Sequence, residues 1–335
     1  LSMPEAERLT YFKDRAYAEK LKALKHDLAV FNVQYDQWFS ERTLHPAAIQ
    51  AACEELKARG KAYEKDGALW LRSTEYGDDK DRVIIRDNGV PTYLAADIAY
   101  HKNKYERGFK KMINIWGADH HGYVARVKAS MAALGYDPKQ LEVLLLQMVS
   151  LFRDGKPVKM SKRTGQAITL NELIEEVGTD AARYFFIMRS LDTQLDFDLD
   201  LAKSHSNENP VYYIQYAHAR IYSIYKQLKE KGGALPADWS AVALDKLQEP
   251  QELELIKKMA AFPEEVTIAA RERAPHRIAH YAYELASLFH NFYNRCRIIQ
   301  EDEELEKARL ALVTAVRITI AACLGILGVS APEKM

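Results

Sequence analysis

Lys111-Met-Ile-Asn-Ile-Trp-Gly117, then His121 to Leu134, then Leu141 to Leu151, is the stretch whose reading decides the fold. The first segment is a short apolar run ending in glycine, and the second has helical spacing. The third is apolar enough for a buried strand, although its composition also suits a helix. Strand, helix and strand in this order predict a parallel pair and a doubly wound α/β sheet. Upstream, Ala68–Arg72 and Arg82–Arg86 read as strands, with a strong hairpin turn signal at Asp87-Asn88-Gly89 before Val90–Leu94 and a helix from about Ala95 to Tyr105. The first sixty residues read as helical: Leu9, Phe12, Tyr17, Leu21, Leu24 and Leu28 recur at helical spacing, and a second amphipathic run ends at Gly60. Downstream, Arg153-Asp-Gly-Lys-Pro157 is a turn and Lys159 to Gly165 a polar loop. Beyond Asp200 the strand signal fades, and Asn209–Glu230, Glu249–Ala261, Pro263–Arg297 (broken at Pro275) and Leu305–Leu327 read as a helix bundle. The expected fold class is therefore α/β plus all-α, with domains at 1–200 and 201–335 and the helical part folding by itself from about Asn209.

Lys+Arg and Asp+Glu both number 47 in the 335 residues, so a globally basic nucleic-acid binder is excluded and any such contact must come from local patches. Cys53, Cys296 and Cys323 lack the paired spacing of a zinc site and read as reduced thiols of a cytoplasmic protein. The longest apolar stretch, Ile318 to Val329, is too short to span a bilayer, and no cleavable signal peptide opens the chain. No membrane partner is expected.

Three short segments carry chemistry. In Lys159-Met160-Ser161-Lys162-Arg163 two lysines stand three apart on a loop after an apolar strand, where they can neutralise charge growing on a leaving phosphate group. The alternative is a solvated basic loop. In Gly117-Ala118-Asp119-His120-His121-Gly122-Tyr123 a glycine at a strand end admits a ligand to the backbone, and an acid two residues on can accept from ribose hydroxyls. A metal site from Asp119, His120 and His121, or a structural histidine pair, are the rival readings. Adjacent helical residues face different ways and chelate one ion poorly. In Tyr93-Leu94-Ala95-Ala96-Asp97 the aspartate would sit in the first turn of a helix opening at Ala95, where the helix dipole alone would favour it.

These segments resemble the class I aminoacyl-tRNA synthetases, and among them the arginyl-tRNA synthetase family. Lys159 to Arg163 is similar to the KMSKS signature, with arginine in place of the last serine. Tyr93 and Asp97 resemble the Tyr-x-x-x-Asp pattern that holds the substrate guanidinium, and Val177-Gly-Thr-Asp-Ala-Ala-Arg183 a DALR-type helix with alanine for leucine. Asn209-Pro-Val-Tyr-Tyr-Ile-Gln-Tyr-Ala-His-Ala-Arg220, Leu288-Phe-His-Asn-Phe-Tyr-Asn294 and Ala331-Pro-Glu-Lys-Met335 look like that family's anticodon domain. The likeness covers nearly the whole chain and is weakest before residue 45.

The resemblance implies the second half of a class I Rossmann-like nucleotide-binding domain, then a helical anticodon-binding bundle. It implies an arginine–tRNA ligase acting as a monomer: ATP with Mg2+ activates L-arginine, which passes to tRNA(Arg), commonly only once tRNA is bound. It assigns Lys159 and Lys162 to catalysis, and Gly117, Asp119, His120, Lys159, Met160, Ser161 and Lys162 to ATP. Tyr93 and Asp97 fall to arginine, and Tyr212, Tyr216, Arg220, Tyr293, Asn294 and Met335 to tRNA, with no resident metal. For any single aromatic of the bundle, core packing is the competing role. The family's HIGH-type segment does not occur in the sequence, and His276-Arg-Ile-Ala-His280 has the wrong context. The expectation is a carboxy-terminal piece of a longer enzyme, inactive alone. A non-catalytic tRNA-binding protein and a synthetase for another amino acid are the rivals.

Overall fold

The computed structural model describes residues 3–158 and 168–335. They form two compact units, one from Tyr35 to Met148 and one joining the residues up to Gln34 with Val149–Met335. The chain opens with helix α1 (Glu5–Val30), none of whose residues is fully buried; Leu9, Phe12, Tyr17 and Leu24 are exposed despite their helical spacing.

The Tyr35–Met148 unit holds α2 (Ala47–Ala58), strands β1 (Ala62–Lys65), β2 (Ala68–Leu71) and β3 (Arg82–Ile85), α3 (Tyr93–Glu106), β4 (Met112–Gly117), α4 (His121–Ala133) and β5 (Leu141–Leu146). Strands β1, β2 and β3 make an antiparallel sheet in that order. The tight hairpin lies at Asp66-Gly67, both in the left-handed region, where a two-residue turn matches the twist of the strands. After the predicted turn at Asp87-Asn88-Gly89 the chain makes only one bridge, Ile85 to Pro91, before α3 begins. Proline has no N–H to extend a ladder. The deciding stretch forms the expected unit: β4, α4 and β5, with the strands parallel and registered from Met112 opposite Leu141 to Gly117 opposite Leu146. Ile49, Leu56, Leu71, Ile84, Ile98, Met131, Leu134 and Leu141 are the best-buried residues of this core. The apolar run Leu141–Leu151 is not one strand. It breaks after Leu146, and β6 starts at Val149 in the other unit.

That other unit pairs β6 (Val149–Arg153) antiparallel with β7 (Lys156–Pro157) and, after α5 (Leu170–Val177) and α6 (Thr179–Ile187), parallel with β8 (Leu195–Asp198). A Thr169–Glu172 capping box starts α5. After α7 (Leu199–Lys203) come α8 (Pro210–Glu230), α9 (Pro250–Ala260), α10 (Phe262–Glu272), α11 (His276–Arg295) and α12 (Glu303–Leu327). Asn209 accepts from two N–H groups at the start of α8, with proline at the first helical position, and Asp302 does the same for α12. Helix α11 packs on α8, α9, α10 and α12 around Phe289, Phe292, Leu285 and Val316.

By length and composition α12 could cross a membrane, but Leu310, Val313, Val316, Ile320 and Leu324 are buried in the bundle. It also carries Arg309, whose Nε donates to Glu252 at 2.6 Å with both side chains almost wholly buried, while its Nη1 donates to the Arg297 carbonyl. The buried face of the helix is the side the bundle covers, while Ile318 and Ile326 on the opposite side stay exposed.

Candidate functional site

Helix α3 begins at Tyr93, two residues earlier than its expected start, so Asp97 lies in the second turn, beyond the reach of the first-turn dipole. Its carboxylate Oδ2 instead accepts from the Tyr123 hydroxyl of α4 at 2.6 Å. Burial and the neighbouring Asp97 hold the Tyr123 hydroxyl far above the usual tyrosine range, so it stays a donor. Tyr93, one turn before Asp97, leaves 85% of its surface exposed. Both line a cavity of about 450 Å³ whose other walls include Tyr100, Lys104, Trp116 and His120.

Below this rim His101 is buried. Its Nδ1–H donates to the Asp97 carbonyl at 2.8 Å, and its Nε2 accepts from the Asn114 amide at 2.8 Å; burial lowers its pKa and keeps the ring neutral. Lys104 donates to the other end of Asn114 at 3.3 Å and stands over the Tyr100 ring, its pKa also lowered by burial. The cavity thus presents one carboxylate held by a phenol, aromatic walls and a polar floor. Tyr93, Asp97, Tyr100, His101 and Lys104 recur at the spacing of one helix face, a periodicity that the sequence carries beyond the Tyr93–Asp97 pair.

At the end of β4 Gly117 is extended and adopts no glycine-only conformation. A Cβ there would meet only the exposed Asp119 carboxylate, at 2.5 Å, which a turn of that side chain relieves. Asp119 and His120 form a single 3-10 turn leading into α4, both exposed, with His120 Nε2 3.7 Å from the Asp119 carboxylate. His120 reaches the cavity; Gly117 and Asp119 stand beside it at the strand end and do not line it. Lys159, Met160, Ser161 and Lys162 lie outside the described residues.

In the bundle, the Tyr212 and Tyr216 rings stack at 6.1 Å, with His205 stacked on Tyr212 at 5.6 Å. The Arg220 guanidinium covers the Tyr216 ring at 4.5 Å and the Tyr293 ring at 4.7 Å, and donates to the Tyr216 hydroxyl at 2.7 Å. Arg220 also donates to His290 Nδ1, and the His290 Nε2–H donates to the Tyr213 carbonyl; burial pushes the His290 pKa down to about 4. Four of the six residues assigned to tRNA are therefore one ladder of planar groups. The other two flank it: Met335 shares a cavity of about 500 Å³ with Tyr212 and His205, and Asn294 one of about 390 Å³ with Tyr293. Phe292 is fully buried and packs in the core.

The DALR-type segment ties the end of the chain down. The two Asp180 oxygens accept from the Ser330 N–H at 3.0 Å, the Ser330 hydroxyl and the Gln215 amide. Arg183 donates to the carbonyls of Leu327, Phe31 and Asn32. Gly328, in the left-handed region at φ +68, ends α12 under Arg183, where a Cβ would meet the guanidinium at 2.6 Å. His218 Nδ1–H donates to the Pro332 carbonyl.

Residues 8–190 match the family described as tRNA synthetases class I (R), catalytic domain, and residues 214–335 match the DALR anticodon binding domain. The chain is 57% identical over 321 residues to the arginine–tRNA ligase of Moorella thermoacetica, covering 96% of this chain and 57% of that protein. It is 56% identical over 336 residues to that of Carboxydothermus hydrogenoformans, covering 100% of this chain and 60% of that protein. The chain thus spans less than two thirds of the length of these curated relatives. Thermus thermophilus arginyl-tRNA synthetase shares its fold, with a TM-score of 0.78 at 24% identity over 99% of this chain and 68% of that one. With the β4–α4–β5 unit and the helical bundle in one sequence, and with these matches along nearly all of it, the chain belongs to the class I arginyl-tRNA synthetase family.

Proposed function

We propose that the chain serves an arginine–tRNA ligase: an arginine carboxylate oxygen attacks the α-phosphorus of ATP, pyrophosphate leaves, and a hydroxyl of the terminal ribose of tRNA(Arg) then takes the arginyl group as AMP leaves. The observation that carries the reading is the Asp97 carboxylate, held by Tyr123 in an aromatic-walled cavity on helix α3. A guanidinium stays charged at any physiological pH, so a site that removes its water must supply a carboxylate that accepts its paired N–H donors. Tyr93, on the rim one turn away, offers a ring face or hydroxyl to the same head group.

His120, Gly117 and Asp119, at the end of the parallel strand β4, are assigned to the adenosine side, where α/β sheets place nucleotides. Lys159 and Lys162, with Met160 and Ser161 between them, are assigned to the departing phosphates on the strength of their sequence alone. Mg2+ is assigned to the phosphates of the bound ATP. The work divides between residues 1–200 for the chemistry and 201–335 for tRNA, in a monomer acting in the cytoplasm. Tyr212, Tyr216, Arg220, Tyr293, Asn294 and Met335 would meet the anticodon loop, where half-buried rings and a guanidinium plane suit unpaired bases.

The test is amino-acid-dependent ATP–pyrophosphate exchange by the complete gene product with tRNA present, run over all twenty amino acids. Exchange driven by arginine alone is expected. Exchange driven by a different amino acid would overturn the substrate, and tRNA binding without any exchange would favour a non-catalytic tRNA binder.

A further inference from the structure

A second cavity of about 390 Å³ lies where α8 and α11 end, and its walls include Lys231, Arg295, Arg297, Gln227 and Asn294. No Asp or Glu lines it, and among the described residues none of the three cations pairs with a carboxylate. Arg297 makes one contact to the Ile299 carbonyl. In a chain with equal numbers of acids and bases, three unpaired cations around one concavity are a local excess.

Helix ends account for only part of it. Lys231 is the residue capping α8 and Arg295 the last of α11. Each helix carboxyl end carries about half a negative charge, so two ends offset about one of the three cations and leave about two positive charges. The acids that follow in sequence do not remove the rest. Glu301 does not line the cavity, Asp302 caps α12, Glu303 pairs with Lys307, Glu304 with Lys246, and Glu306 accepts from the Gln300 N–H.

Tyr293 forms one wall of this cavity and, at the same time, one step of the stacked ladder with Arg220. We propose that Lys231, Arg295 and Arg297 form a backbone subsite that takes the phosphodiester groups of a single-stranded RNA segment whose bases stack on the Tyr212–Tyr293 ladder. The subsite rests on the reading of the ladder as an anticodon-loop surface. Phosphates fix the strand while the rings and amides beside them meet its bases, so the three cations supply affinity without discriminating sequence.

Counterion release makes this measurable. Each phosphate neutralised on a single strand contributes about 0.7 to the slope of log affinity against log salt. The experiment titrates the 335-residue chain with a stem-loop carrying an arginine anticodon and with a scrambled one, over a range of salt concentrations. The triple variant Lys231→Ala, Arg295→Ala, Arg297→Ala should lose about 2 from that slope and weaken both stem-loops by the same factor, leaving their ratio unchanged. The double variant Arg295→Lys, Arg297→Lys keeps the charges and should keep the slope. If the triple variant misfolds by circular dichroism, the single variants are read instead, each expected to lose about 0.7. A folded variant with the wild-type slope, or one whose loss falls on one anticodon only, overturns the subsite. A wild-type chain that binds neither stem-loop overturns the anticodon-surface reading itself.

Discussion

Two side chains, Asp97 and His290, set what each unit can do. Asp97→Asn in the complete gene product keeps the shape of the pocket but removes the charge and turns one acceptor into a donor facing the donors of a guanidinium. Losing one partner of a buried ion pair costs about 3–5 kcal/mol, so arginine affinity should fall by roughly a hundredfold or more while ATP affinity holds. Tyr123→Phe removes only the 2.6 Å hydrogen bond to Asp97 and should cost about tenfold in the same measurement. An unchanged arginine affinity in both would leave Asp97 as a tie between α3 and α4. His290 gives the pH response of the bundle. Its pKa is about 4 when folded against the ordinary 6.5, so between those values the unfolded chain binds the extra proton and stability rises with pH. The stability it secures is complete above pH 6.5, and about 2–3 kcal/mol of it should be lost as pH falls toward 4. Burial lowers the His218 and His101 values as well, which acts in the same direction. Denaturant melts at several pH values on wild type and His290→Gln check this: the variant should lose part of the slope, and equal slopes would show that the imidazole does not titrate in this range.

Among the elements, the last turn of α12 and the segment after it depend on groups far away in sequence. Asp180 and Gln215 hold Ser330, Arg183 covers Gly328, and His218 holds the Pro332 carbonyl, so α6 and α8 together place Met335 beside Tyr212. Asp180→Ala removes three hydrogen bonds to a carboxylate, each worth roughly 1.5–3 kcal/mol when made to a charge. Amide exchange at Ser330 should accelerate by tenfold or more, with little change in the middle of α11. Hydrogen-exchange mass spectrometry of the terminal peptide measures it, and unaltered protection there would show that packing, not Asp180, holds the segment. The resemblance of this helix to a DALR motif was plain in the sequence; that its aspartate and arginine grip the other end of the chain was not.

At the scale of the whole molecule, the helical bundle and the short sheet before it share one core. Leu151, Tyr184, Phe185, Phe197 and Leu199 belong to the same buried cluster as Phe289, Val316 and Ile320, and the Tyr184 hydroxyl donates to the Ala279 carbonyl at 3.0 Å. A piece cut at Asn209, the boundary the sequence suggests, exposes the apolar surface these residues cover. It should melt well below a piece starting at Val149, and equal melting temperatures would show that the bundle stands alone. The sequence by itself displayed strand β4 and helix α4, the bundle and the family, because periodicity, caps and short motifs are local properties that a linear chain displays directly, while it left the run after Leu141 open between strand and helix. It named Asp97 and the tyrosines of the ladder as candidates for the same reason. Only the tertiary structure decided that Asp97 is held by Tyr123, that Arg220 bridges Tyr216 and Tyr293, and that the apolar run after Leu141 divides between two units. The Asp97–Tyr123 and Arg220–Tyr293 contacts join residues tens of positions apart, and which partner a side chain meets depends on how the helices pack, a property that no window of sequence contains.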